Sequence, residues 1–112
     1  MKNEKRIGYT PRSSYDEKYF GEVICTEPLK SMPYASAKVL YTDDGTVLLR
    51  SYTTIVAAID SNGYVYCFWN YSATTRKHLS AFARQYGFTY KVFKDLMDGR
   101  IDSFNIHAYN CD

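Results

Sequence analysis

Two dipeptides, Asp44-Gly45 and Asn62-Gly63, constrain this chain more than any other feature. Each lies between two apolar runs. An Asx-Gly pair in that setting is the strongest short-range signal for a β-hairpin, because a tight reversal needs backbone that Asn, Asp and Gly adopt cheaply. "KVLYTDDGTVLLRS" therefore predicts one hairpin, with the sheet beginning near Lys38, and "TTIVAAIDSNGYVYCFWNY" predicts a second. Upstream, Pro28 and Pro33 read as punctuation in a connecting loop. In the second hairpin, strict alternation puts Thr53, Ile55, Ala57 and Ile59 on one face. Val65, Cys67, Trp69 and Tyr71 share a face of the next strand, and Tyr64, Tyr66 and Phe68 point the other way. A strand apolar on both sides is either covered on both or shows an aromatic strip to a partner, and the covered reading is the simpler.

The period then changes. Leu79, Phe82, Ala83 and Tyr86 recur at i, i+3, i+4, i+7, which predicts a core-facing helix from about Ala73, with Lys77 and Arg84 on its opposite face. Gly87 ends it. Thr89 is placed to cap a second helix, Tyr90 to Asp98, stopped by Gly99. "SFNIHAY" alternates Phe104, Ile106 and Ala108 inward and predicts a last strand. Near the start, Ser14 and Glu17 have capping-box spacing, which predicts a short helix through Phe20. Residues 1–14, with Lys2, Lys5, Arg6 and Arg12, read as a flexible basic arm. The expected fold is a single α+β domain over residues 15–112: an antiparallel four- or five-stranded sheet, one long helix packed on it, and a shorter second helix. A chain of 112 residues can bury such a core without metal or disulfide. Cys25, Cys67 and Cys111 are odd in number and lack paired spacing, so reduced thiols in a cytoplasm are expected. "MKNEKRIGYT" leads into no apolar stretch, and no run is long enough to cross a membrane.

Charge is distributed unevenly. The net charge is only +2, yet no Asp or Glu occurs from Ser61 to Lys94, where Arg76, Lys77, Arg84, Lys91 and Lys94 sit. A local basic surface favours anionic partners. Twelve tyrosines accompany it, and tyrosine serves half-buried strands and binding surfaces alike.

Three arrangements carry candidate chemistry. At the start of the long helix, Ser72, Thr74 and Thr75 offer hydroxyls, and Arg76 and Lys77 occupy turns where acids are usual. Such a helix terminus suits a phosphate or a partner's carboxylate. The bland reading is that both cations extend into water and Ser72 and Thr75 only join helix to sheet. Next, Ala83, Gly87, Phe88, Thr89, Val92, Phe93 and Leu96 resemble the helix-turn-helix of DNA-binding regulators. That resemblance implies that Thr89, Tyr90, Lys91 and Lys94 face a major groove. Any αα-corner also needs a turn glycine and apolar anchors. Third, Tyr64, Tyr66 and Phe68 beside Arg76, Lys77 and Lys91 would offer stacking planes and phosphate contacts to a single strand. Catalysis finds less support. His78 is placed on a helix flank and His107 on an outer strand face, and no spacing signature joins either to Cys67 or Cys111. No metal-ligand spacing, Walker loop or dinucleotide fingerprint occurs, so no cofactor is expected.

The span Ser51 to Gly87 resembles a domain of unknown function found in small proteins of phages and other mobile elements. Ser51, Tyr52 and Thr54 match its Ser-Tyr-x-Thr strand. Tyr71, Ser72, Thr74, Thr75, Lys77 and His78 match its helix start. The resemblance implies a phage-type protein acting in the cytoplasm of a bacterial host. The resulting expectation is a non-catalytic inhibitor or modulator of a host nucleoprotein complex, such as a CRISPR nuclease. Its binding residues would be Ser72, Thr74, Arg76, Lys77, Arg84, Tyr90, Lys91 and Lys94. The alternative is a helix-turn-helix regulator. Direct DNA or RNA contact, and a homodimer through the strand edge near Tyr64–Tyr71, fit either.

Overall fold

The computed structural model describes residues 21–109. The expected basic arm, the short helix after Ser14, and Cys111 lie outside the described residues. The fold is α+β. Five strands, β1 (Val23–Pro28), β2 (Ala37–Thr42), β3 (Val47–Ser51), β4 (Thr54–Ile59) and β5 (Val65–Cys67), precede three helices, α1 (Ala73–Gln85), α2 (Tyr90–Asp98) and the single-turn α3 (Ile106–Tyr109). The strands form one antiparallel meander in the order β1-β2-β3-β4-β5. No helix of the described residues is long and apolar enough to cross a membrane.

Both glycine turns close as read from the sequence. Gly45 has φ +87° and Gly63 has φ +93°, backbone that L side chains adopt only with strain. Asp side chains complete the reversals. Asp60 Oδ1 accepts from the N–H groups of Asn62 and Tyr64, and Asp44 Oδ1 accepts from the Thr46 N–H.

Three sequence expectations are corrected. The fifth strand is not near the C-terminus; it is β1, read from sequence as part of a proline-punctuated loop. β1 pairs by backbone with β2 while most of its side chains are exposed, so it has no apolar alternation to read. Pro28 is tolerated because it ends an edge strand. "SFNIHAY" is not a strand. Only a bridge between Tyr64 and Asn105 forms, and then the Asn105 carboxamide oxygen accepts from the N–H groups of His107 and Ala108, turning the chain into α3. Finally, Ile55 does not share a face with Ala57 and Ile59. The pairing shifts from Leu49↔Ala57 to Arg50↔Ile55, leaving Val56 as the extra residue of a β-bulge.

The main core lies between the sheet and the helices. Val39, Leu49, Val56, Ala57, Ile59 and Val65 meet Leu79, Phe82 and Ala83 of α1 and Phe93 of α2. Phe82, Phe88, Phe93 and Phe104 form the aromatic joint between α1, α2 and the C-terminal segment, with ring centroids 5.3 to 6.3 Å apart. Leu40, Leu48, Ile55, Ala58 and Phe68 form a second apolar cluster on the other face. Gly87 (φ +92°) follows the C-cap Tyr86 of α1. The Phe88 N–H reaches the Ala83 carbonyl and the Gly87 N–H reaches the Arg84 carbonyl, so the last carbonyls of the helix are satisfied.

Candidate functional site

The end of β3 at Ser51 and the start of α1 meet in space. Ser72 caps α1: its Oγ accepts from the Thr75 N–H at 3.0 Å, and its own hydroxyl donates to Thr75 Oγ1 at 2.8 Å. Thr75 is turned inward, with Oγ1 3.4 Å from Ser51 Oγ at the end of β3. Ser51 Oγ in turn lies 2.8 Å from His78 Nδ1. Thr75, Ser51 and His78 thus form one hydrogen-bonded chain of side chains, all three buried. His78, expected on a helix flank, is 2% exposed, and desolvation lowers its pKa from the ordinary histidine value. Burial of a neutral imidazole bonded to a serine is a joint between sheet and helix.

The turn above that joint is unusual. Ser51 pairs with Thr54, so Tyr52 and Thr53 make a two-residue reversal, and Tyr52 takes φ +58° where glycine is normal. The Tyr52 N–H donates to the Ser36 carbonyl at 2.7 Å, and its ring lies 5.9 Å from that of His78 while staying 58% exposed.

The expected binding residues separate into three groups. Ser72 is committed to the cap, while Thr74 is exposed beside it. Arg76, also exposed, turns its guanidinium back onto the carbonyls of Asn70 (Nε, 3.0 Å) and Tyr71 (Nη2, 3.5 Å). Tyr90 is not on an outer face: it is half-buried against the core, and its hydroxyl accepts from Asn70 Nδ2 at 3.2 Å. Lys91 and Lys94 are exposed, yet each is paired one turn on, with Asp95 at 2.6 Å and Asp98 at 2.9 Å. Their charge is largely returned within α2. Thr89 occupies the N-cap position of that helix without a side-chain capping bond.

Lys77 and Arg84 differ. They lie on the outer face of α1 and, among the described residues, enter no ion pair. With Ser31, Met32, Ser80 and Ala81 they line an open depression of about 330 Å³. The Lys30 N–H donates to Gln85 Oε1 at 3.0 Å and fixes the Ser31–Met32 wall against the helix. Buried Leu29 anchors the same turn.

The stacking platform expected on β5 does not form. Phe68 is buried, and half-buried Tyr66 donates its hydroxyl to Asp60 Oδ2. The strand edge at Tyr64 is bridged by Asn105, with the Val65 N–H on the Phe104 carbonyl and the Ile106 N–H on that of Gly63. Of the thiols, Cys67 is half-buried and pushed up to about 12 by desolvation, hence unreactive at neutral pH, while Cys25 is exposed. His107 packs against the Gly63 turn, at the end of the sheet away from His78. The described residues contain no group of three or more His, Cys, Asp or Glu able to hold a metal.

The model of a family of unknown function, DUF8033, matches residues 27–99. The chain belongs to this family. The DUF8033 segment runs from the end of β1 through α2 and contains both the Ser51–His78 joint and the depression beside α1. No curated protein matches the chain, and no solved structure does.

Proposed function

We propose that the protein is a non-catalytic binding protein that docks on the anionic surface of a macromolecular partner through the outer face of α1. The observation that carries this is the state of Lys77 and Arg84. They are two helical turns apart, without an internal acid, beside an open depression whose walls combine methionine with serine hydroxyls. Unpaired cations around a small apolar floor suit recognition of carboxylates or phosphates on a partner. The resemblance to small phage and mobile-element proteins directs the reading toward a host nucleoprotein complex as the partner, with the protein as its inhibitor or modulator. The burial of Ser51 and His78 supports a non-catalytic reading, since both side chains are committed to the joint between sheet and helix. The helix-turn-helix alternative is favoured less, because Lys91 and Lys94 are neutralised along α2 and Tyr90 is turned inward.

The test is capture from bacterial lysate, with and without nuclease, by wild type and by Lys77→Glu/Arg84→Glu. A protein partner that survives nuclease and is lost in the variant is the expected result. Recovery of nucleic acid alone, or undiminished capture by the variant, contradicts the reading.

A further inference from the structure

The sheet has a second apolar face. Leu40, Leu48, Ile55, Ala58 and Phe68 form it, with half-buried Val23 and Tyr66 at its margins. Leu48 and Ala58 are 0% exposed, and Leu40 and Ile55 are 3% exposed. An antiparallel sheet face left to water is usually polar and keeps its side chains partly wet, so this face is covered. No described helix covers it. Leu79, Phe82 and Phe93 of α1 and α2, and Phe104 and Ile106 of the C-terminal segment, pack in the other cluster. Beyond the described residues the chain has residues 1–20 and residues 110–112. The latter are too few to cross five strands spaced about 4.8 Å apart.

Two further observations single out residues 14–20. Lys38 of β2 and Arg50 of β3 are direct cross-strand partners, and both leave the sheet on this second face, two residues from Leu40 and Leu48. Like charges in that position repel, and both side chains are half-buried, a setting in which a carboxylate is the natural complement. Gly21 has φ +84°, the left-handed backbone that closes helices, and it directly follows the helix expected from the spacing of Ser14 and Glu17. At about 100° per residue, that helix puts Tyr15, Tyr19 and Phe20 on one side, with Asp16 inside the same arc and Lys18 opposite.

We propose that the occupant of the second sheet face is this segment, residues 14–20, packed as a helix. Tyr15, Tyr19 and Phe20 cover the apolar centre, and Asp16 is carried in with them to meet Lys38 and Arg50. The reach is adequate. Gly21 sits beside Asp43, and Lys38 lies four residues along β2 from Thr42, about 13 Å. Asp16 is five residues before Gly21, about 8 Å along a helix, and a lysine or arginine side chain spans the rest. Lys77 and Arg84 are on the other side of the sheet, so this contact stands or falls separately from the proposed docking face.

The test is thermal melting of the full chain, with binding of an anilinonaphthalene sulfonate dye as a readout of uncovered apolar surface. Tyr15→Ser/Tyr19→Ser should lower Tm by about 5 °C or more and raise dye binding severalfold. Asp16→Asn should lower Tm by about 3 °C or more in wild type, and by less than about 1 °C once Lys38→Gln/Arg50→Gln is in place. Lys18→Gln, on the outer side of the same helix, should change Tm by less than about 1 °C. The Asp16 cycle decides the matter even where the tyrosine variant fails to fold. Equal effects of Asp16→Asn in the two backgrounds overturn the proposal. So does a tyrosine variant that melts and binds dye as wild type does; a dimer by light scattering would then assign the face to a second copy.

Discussion

The two ends of the sheet solve the same problem differently. At one end the chain reverses through Gly45 and Gly63, and the side chains of Asp44, Asp60 and Asn105 take up the N–H groups of the loops. Backbone, acid and turn residue agree there. At the other end the reversal after Ser51 uses a tyrosine with φ +58°, and two cations oppose each other one step away. Strain of that kind costs on the order of 1 to 3 kcal/mol, and it persists only where the surroundings hold it. The Ser72–Thr75–Ser51–His78 chain and the Ser36 carbonyl are what hold it here. The contrast teaches that the Asp-Gly end is closed by local chemistry, whereas the Tyr52 end depends on the tertiary contacts that surround it.

Substitutions can break or sharpen this contrast. The largest effect is expected at Asp60, which is buried and accepts from two backbone N–H groups and the Tyr66 hydroxyl. Asp60→Ala strands those donors and should cost about 3 kcal/mol in denaturant unfolding. Gly63→Ala comes next. A Cβ there would lie 2.5 Å from His107 Cδ2 and would meet φ +93°, so a loss of about 2 kcal/mol is expected by the same measurement. Ser51→Ala removes the bond to His78 Nδ1 and should cost about 1 to 2 kcal/mol, with the Tyr52 turn loosening in amide exchange. Tyr52→Gly should be smallest. Relief of strain and the greater entropy of the unfolded glycine oppose each other, so stability should stay within about 1 kcal/mol of wild type. A Tyr52→Gly loss as large as that of Gly63→Ala would erase the distinction between the two ends.

The same joint predicts a pH dependence. His78 is held neutral in the fold, with its pKa below the ordinary histidine value because burial penalises the charged form. The unfolded chain therefore binds more protons as pH falls through about 6.5. The His78 contribution is intact above that pH, declines below it with a slope of at most about 1.4 kcal/mol per pH unit, and levels off under the folded pKa. Denaturant melts of wild type and His78→Gln from pH 5 to 8 should show this component only in wild type.

Much of the fold was legible because it is written in local chemistry. Asp44-Gly45 and Asn62-Gly63 fixed two hairpins, and the spacing of Leu79, Phe82 and Ala83 fixed α1 with its inner face. β1 escaped because an edge strand with exposed side chains is specified by its neighbour's backbone. Asn105 hid α3, since its role as a cap competes with the alternation of Phe104 and Ile106. The bulge at Val56 carries no glycine to announce it, so Ile55 was assigned to the wrong face. In the candidate site, the outward setting of Lys77 and Arg84 followed from helical periodicity. The burial of His78 was also readable, because Thr75, His78 and Phe82 continue the inner stripe. The Lys38–Arg50 pair was implicit too, since both residues lie equally far from Asp44, but only once the register of that hairpin is drawn. Nothing in "SYTT" marks Tyr52 as a glycine substitute; that fact belongs to the tertiary joint beneath it.

The measurement that bears most directly on the proposed function compares two charge reversals in one capture experiment from nuclease-treated bacterial lysate. Lys77→Glu/Arg84→Glu alters the unpaired cations of α1, and Lys91→Glu/Lys94→Glu alters the paired cations of α2. The first variant should lose the protein partner and the second should retain most of it. Loss through the α2 variant with retention by the α1 variant would contradict the proposed docking face and return the second helix to the centre of the function.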